Sequence, residues 1–262
     1  MIGIRGRNSR MTGESTSLPS PQTTRAEWGS FLGFLQKPQL PVRQSADFRI
    51  GAIAISRMLA LDLTAMGALL IIAGIVMAIG VDIPETALAG MEITPSIIFT
   101  VIVIAPVSEE LFFRSWLSGR PRYLVAFPII LAAGVLAAIL GVKHTGETAT
   151  TYVGFAMIGG ILLTLIMAAI LWKRPPMNWF RTIFPAVFWL STLAFASIHL
   201  FNFNESNWVS LLPLVLPQFI LGMLLGYLRV NYGLWSAIAL HMIHNGLIIT
   251  IVLIASKATV AS

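Results

Sequence analysis

Seven apolar runs, near residues 58 to 80, 94 to 118, 123 to 142, 151 to 172, 183 to 201, 209 to 229 and 232 to 255, limit what this chain can fold into. Each is close to the roughly 20 residues that an α-helix, rising about 1.5 Å per residue, needs to cross about 30 Å of hydrocarbon. The sequence therefore predicts an all-α fold, a polytopic membrane helical bundle of about seven transmembrane helices. Composition agrees: 56% of the 262 residues are hydrophobic and 11% are charged, too few charges to cover a soluble surface. Mean hydropathy is +0.84.

The net charge of +6 does not point to nucleic acid, because eight of the 17 Lys and Arg precede residue 58 and others flank apolar runs. That distribution reads as topology. The connections alternate: a basic N-terminal region, then Asp82, Glu85 and Glu92, then Arg120 and Arg122, then Lys143 alone. Lys173, Arg174 and Arg181 follow, then Glu205, then Arg229. The positive-inside rule puts the N-terminus in the cytoplasm and the C-terminus outside. The expected location is multi-pass in a cytoplasmic membrane, of a prokaryote.

Residues 1 to 50 are rich in Ser, Thr, Pro and Arg and lack an apolar core near Met1, so they read as a mobile basic cytoplasmic tail. Met11, heading MTGESTS, is a second candidate start. Trp28, Phe31, Leu32 and Leu35 share the spacing of one helical face, which suits either a short helix on the membrane surface or a loop. Residues 51 to 262 read as one membrane-embedded domain, with no internal repeat.

Ionisable residues in hydrocarbon cost about 2.5 to 3.5 kcal/mol on insertion scales, so the few in the apolar runs are functional candidates. They are Asp62, Glu109, Glu110, Arg114, His199, His241 and His244. In APVSEELFFRSW, Glu110 and Arg114 stand i, i+4 in the favourable order for an ion pair, and Glu109 points about 100° away. Glu109 is left as the unpaired carboxylate, the kind of group that general acid–base chemistry near neutrality requires. In FASIH, His199 follows Phe195 by one turn. In HMIHN, His241 and Asn245 are i, i+4 and reach one cavity. A Glu, two His and an Asn from three helices suit a bound water or a metal and the support of an oxyanion.

Structural readings stand beside these. Glu110 with Arg114 is also what a bare ion pair looks like, His199 what a packing histidine looks like, and His241 with Asn245 what an interhelical hydrogen-bond pair looks like. Asp62 reads as a structural or interfacial charge. His144 and Glu147, in HTGE, receive no role. Counting from Arg120 and Arg229, Glu109 and His241 lie about 16 to 18 Å deep. His199 lies about 27 Å from Arg181, or about 21 Å if the helix starts at Pro185.

Several chemistries are missing. With no cysteine there is no thiol nucleophile, disulfide or thiolate metal site. No spanning segment has a Gly-x-Ser-x-Gly elbow or a His-Glu-x-x-His helix, and no phosphate-cradling glycine loop implies a nucleotide.

Glu109-Glu110-x-x-x-Arg114, Phe195-x-x-x-His199 and His241-x-x-x-Asn245, in this order on separate membrane helices, resemble the three motifs of the CPBP family. These are CAAX proteases and bacteriocin-processing enzymes, also called the Abi family and related to type II CAAX prenyl endopeptidases. The run from Pro217 to Asn245 is similar to the approach to the third motif, and His244 stands where the family more often has Asn. The resemblance covers about residues 95 to 250, the expected catalytic core. It implies an intramembrane endopeptidase in which Glu109, helped by His199, activates water. His241 and Asn245 would stabilise the oxyanion, and Glu110 and Arg114 would hold the first motif. The family is often labelled metalloprotease; zinc on Glu109, His199 and His241 and a metal-free site both remain open. The implied partners are a membrane-associated protein or peptide substrate, CAAX-type or bacteriocin-related, and the lipid bilayer. A non-catalytic immunity or assembly factor that uses the same polar cavity for binding is the alternative. A proton-relaying transporter is disfavoured by the absence of repeats.

Overall fold

The computed structural model describes residues 23–41, 45, 47–84, 86, 92–203 and 208–261. Residues 1–22, with Met11, lie outside this description. Seven spans are long and apolar enough to cross a membrane: Phe48–Ala78, Pro95–Phe113, Pro121–Lys143, Gly146–Ile170, Asn178–Asn202, Leu212–Tyr232 and Leu234–Ile254. The chain is an all-α polytopic bundle, and each expected apolar run has its helix.

The helices are α1 (Thr24–Gln36), α2 (Phe48–Ala78), α3 (Pro95–Phe99), α4 (Ala105–Phe113), α5 (Pro121–Lys143), α6 (Gly146–Ile170) and α7 (Asn178–Ile198). A one-turn α8 (Trp208–Leu211), α9 (Leu216–Tyr232) and α10 (Leu234–Ala261) complete the order. A π-helical stretch, Thr100–Ile104, joins α3 to α4, so the second span is continuous but wider in the middle. Such π segments are frequent at functional sites.

Local chemistry sets the boundaries. The first span begins about ten residues earlier than its apolar run because Asp47 caps it, its Oδ1 accepting from Arg49 N at 2.8 Å and Ile50 N at 3.3 Å. After α4 the chain tightens into the 3-10 turn Ser115–Ser118 and stops at Gly119, whose φ of +65° suits glycine. Gly233, with φ of +102°, separates α9 from α10. Pro185 lies inside α7 rather than at its start. The helix runs from Asn178, and the later start considered for it is corrected.

α9 is the centre of the bundle. Leu221, Leu224, Leu225 and Leu228 are buried, and the helix packs against α2, α7 and α10. α5 and α6 form a hairpin at the periphery, close enough that a Cβ on Gly160 would meet Ala133. Their remaining surface is apolar and exposed, as lipid-facing helices require.

The expected tail needs a correction at residues 24–36. The helix allowed for near Trp28 forms, and it is docked on α2 and α9. The docking face runs through Glu27, Phe31 and Phe34, while Leu32 is exposed. Glu27 is buried: its Oε1 accepts from Tyr227 Oη at 2.8 Å and Tyr232 Oη at 2.7 Å, and its Oε2 lies 3.4 Å from Arg57 Nη1. Phe34 meets Phe188 edge to face at 5.0 Å, and Trp28 Nε1 donates to Arg57 O at 2.9 Å. A carboxylate with three donors is a strong anchor, because hydrogen bonds to charged groups contribute about 1.5 to 3 kcal/mol each. Glu27→Ala is therefore expected to lower stability by about 2 to 4 kcal/mol, read as a fall in the thermal midpoint of the detergent-solubilised protein. An unchanged midpoint would show that Glu27 is not what anchors α1.

Candidate active site

The second span brings its two acids to different neighbours, as the 100° step along a helix requires. Glu110 is fully buried, and its Oε1 accepts from Arg114 Nη1 at 3.0 Å. The same oxygen lies 3.1 Å from His241 Nδ1 on α10. Arg114 is buried too, with its guanidinium carbon 3.7 Å from the Phe195 ring centroid, a cation–π contact that covers one face of the ion. The i, i+4 pair expected from the sequence is formed, and it also grips a histidine.

Glu109 points instead at two imidazoles. Its Oε2 lies 4.0 Å from His199 Nε2 and 3.8 Å from His241 Nε2, and this oxygen is buried without a hydrogen-bond partner. These separations are too long for direct hydrogen bonds and short enough for one shared oxygen atom between the three groups. The other ring nitrogens are committed. His199 Nδ1 donates to Phe195 O at 2.7 Å, which for a neutral ring leaves Nε2 as the lone-pair nitrogen facing Glu109. His241 Nδ1 is engaged by Glu110, so its Nε2 also faces Glu109.

Phe195 ties the arrangement together. It is fully buried, with ring contacts to His199 at 4.9 Å and His241 at 5.8 Å besides the Arg114 stack. His199 caps the C-terminal end of α7 and opens the 3-10 turn His199–Asn202. The distance from Arg181 that had set it too deep does not keep it from Glu109.

Of the six sequence candidates, Glu109, Glu110, Arg114, His199 and His241 form one contiguous cluster. Asn245 is one turn further along α10, and its Nδ2 donates to Val101 O at 2.8 Å, a carbonyl of the π stretch. An amide nitrogen has two hydrogens, so one remains beyond this bond. One carboxylate and two imidazoles are the donor types of a catalytic zinc site. Among the described residues no three His, Cys, Asp or Glu side chains are already gathered at metal-ligand spacing, and Glu109, His199 and His241 are the residues that would hold an ion.

Asp62 takes the structural role read for it, with a partner the sequence did not show, whereas Ser191 and Arg229 escaped the sequence reading. Asp62, on α2, is fully buried with its Oδ2 2.6 Å from His244 Nδ1, a tie between α2 and α10. Its signal was present, since both residues are ionisable and lie in apolar runs. Ser191, on α7, donates to Phe113 O at 2.6 Å. Arg229, read as a boundary charge, is buried, and its Nε and Nη2 donate to Arg114 O and Ser115 O, each at 2.8 Å. Nothing in the sequence distinguishes such an arginine from one that marks a membrane edge.

The type II CAAX prenyl endopeptidase Rce1-like family matches this chain over residues 92–174 and 169–247. The matched stretch starts just before α3 and ends inside α10, so it contains every residue of the cluster, whereas α1 and α2 lie outside it. No curated protein and no solved structure matches the chain. With seven membrane-length helices and a match over more than half its length, this multi-pass membrane protein belongs to the type II CAAX prenyl endopeptidase Rce1-like family of proteases.

Proposed function

We propose that the chain hydrolyses a peptide bond of a membrane-associated protein or peptide inside the bilayer, with Glu109 as the base that activates water. The observation that carries this reading is the buried, unpartnered Oε2 of Glu109 facing two imidazole Nε2 atoms at 3.8 and 4.0 Å. A water shared by these groups loses a proton to Glu109 while its oxygen bonds to the scissile carbonyl carbon. The resulting oxyanion is stabilised by His241, whose other nitrogen is held by Glu110, and by the second N–H of Asn245. His199 helps to hold the water. Glu109 then returns its proton to the amide nitrogen, the C–N bond breaks, and acid and amine leave. The family supports a CAAX-type substrate, and the basic connections support a cytoplasmic N-terminus.

The test uses purified protein in lipid nanodiscs and a fluorogenic farnesylated peptide ending in a CAAX box. Cleavage by the wild type and its loss in Glu109→Gln and His199→Ala, at unchanged protein yield, are expected. Full cleavage by both variants would show that the base lies elsewhere, and no cleavage by the wild type would favour the binding role of an immunity or assembly factor. The proposed step uses a water held by Glu109 and two imidazoles and no metal, so dialysis against a chelator is expected to leave the rate unchanged. A loss restored by zinc would overturn the metal-free step.

A further inference from the structure

The helix that carries Glu109 and Glu110 ends within the protein, and its end is held by other helices. The last carbonyls of any α-helix lack intrahelical donors, and leaving them bare away from water is costly. After α4 stops at Phe113, four successive carbonyls find side chains: Phe112 O accepts from Trp116 Nε1 at 3.0 Å and Phe113 O from Ser191 Oγ at 2.6 Å. Arg114 O and Ser115 O accept from the two arms of Arg229, from α9.

Arg229 is only 3% exposed, which is not how a charge that merely marks a membrane boundary sits. A cation also suits the negative end of a helix dipole, and a planar guanidinium spans two carbonyls at once where an ammonium does not. The residue it pins by the backbone is Arg114, whose side chain holds Glu110, which in turn holds His241 beside Glu109. From Arg229 to Glu109 every link is a contact between named atoms.

We infer that Arg229 is a positioning residue for the site: by holding the Arg114 and Ser115 carbonyls it sets the rotation and depth of α4, and so the approach of Glu109 to His199 and His241. This assignment rests on the proteolytic reading. The neighbouring α9 residues Gly226, Leu228 and Val230 give the helix apolar packing of its own, Gly226 admitting the Phe188 ring, so α9 does not depend on Arg229 for its seat.

The experiment compares the wild type, Arg229→Ala and Arg229→Lys, each full length in nanodiscs, on the farnesylated CAAX peptide and by amide hydrogen exchange over residues 105–118. In Arg229→Ala, kcat is expected to fall about 10- to 100-fold, with KM changed less than about twofold. Added guanidinium should recover part of kcat, and exchange over residues 105–118 should quicken and slow again with the added ion. Arg229→Lys, which keeps one donor, should fall between, and it carries the test if the alanine variant does not accumulate. A wild-type kcat in either folded variant, a raised KM with kcat kept, or a loss that guanidinium leaves untouched would overturn the assignment. If the wild type does not cut the peptide, the proteolytic reading fails for that substrate, while the exchange data still decide whether Arg229 holds α4.

Discussion

Glu109→Gln is expected to reduce kcat by about 10²- to 10⁴-fold, the range that one positioned acid–base group contributes. The substitution keeps shape and hydrogen-bonding reach and removes the negative charge and with it the capacity to take a proton. Glu109 is half-buried, and its Oε2 makes no hydrogen bond within the protein, so the change leaves no partner stranded and the yield and thermal midpoint should stay near wild type. KM should move little, since the lost interaction belongs to the transition state. The measurement is steady-state cleavage of the farnesylated CAAX peptide. Wild-type kcat in this variant would show that the base lies elsewhere.

Arg114→Met is expected to behave in the opposite way, failing first in stability, by about 3 to 5 kcal/mol. Glu110 would remain as a buried carboxylate beside His241 with no fixed cation, and the Phe195 ring would lose the ion stacked 3.7 Å away. Removing both charges at once, in Glu110→Leu with Arg114→Met, is expected to recover much of the midpoint, because a buried ion pair and an apolar pair of similar volume are often close in stability. The double variant should still fail to cleave, because His241 would lose the carboxylate that orients it. A denaturation series on the two single variants and the double one measures this. If Arg114→Met keeps the wild-type midpoint, the pair does not hold the second span.

These two outcomes separate roles that adjacency in APVSEELFFRSW obscures. Helical geometry alone divides the acids, one toward Arg114 and one away, and the structure agrees. It adds that both carboxylates bracket the same histidine: Glu110 meets His241 through Nδ1 and Glu109 approaches it through Nε2. Asn245 shows where helical spacing stops being informative. Its i, i+4 relation to His241 puts the two on one face, yet its amide bonds the Val101 carbonyl, because the π stretch brings that carbonyl toward α10.

The docking of α1 was hidden for a related reason. Its apolar spacing pointed to Trp28, Phe31, Leu32 and Leu35, but the buried face includes a carboxylate, which hydropathy counts against burial. Glu27 is buried because Tyr227 and Tyr232, some 200 residues away in the chain, supply the donors. Arg229 misled in the same sense, since a count of charges between apolar runs assumes that each one faces water.

What the sequence alone determined is the number of spans, the helical class, the Glu110–Arg114 pair and the set of residue types available for chemistry. These depend on run length and the 3.6-residue period, and such local quantities survive without a fold. Only the tertiary structure decided which side chains meet: His199 and His241 at Glu109, Asp62 at His244, Glu27 at two tyrosines and Arg229 at the end of α4. Those contacts join residues tens to hundreds apart, and in a bilayer the helix rotations that create them are selected by buried polar groups finding partners, a choice no local pattern records.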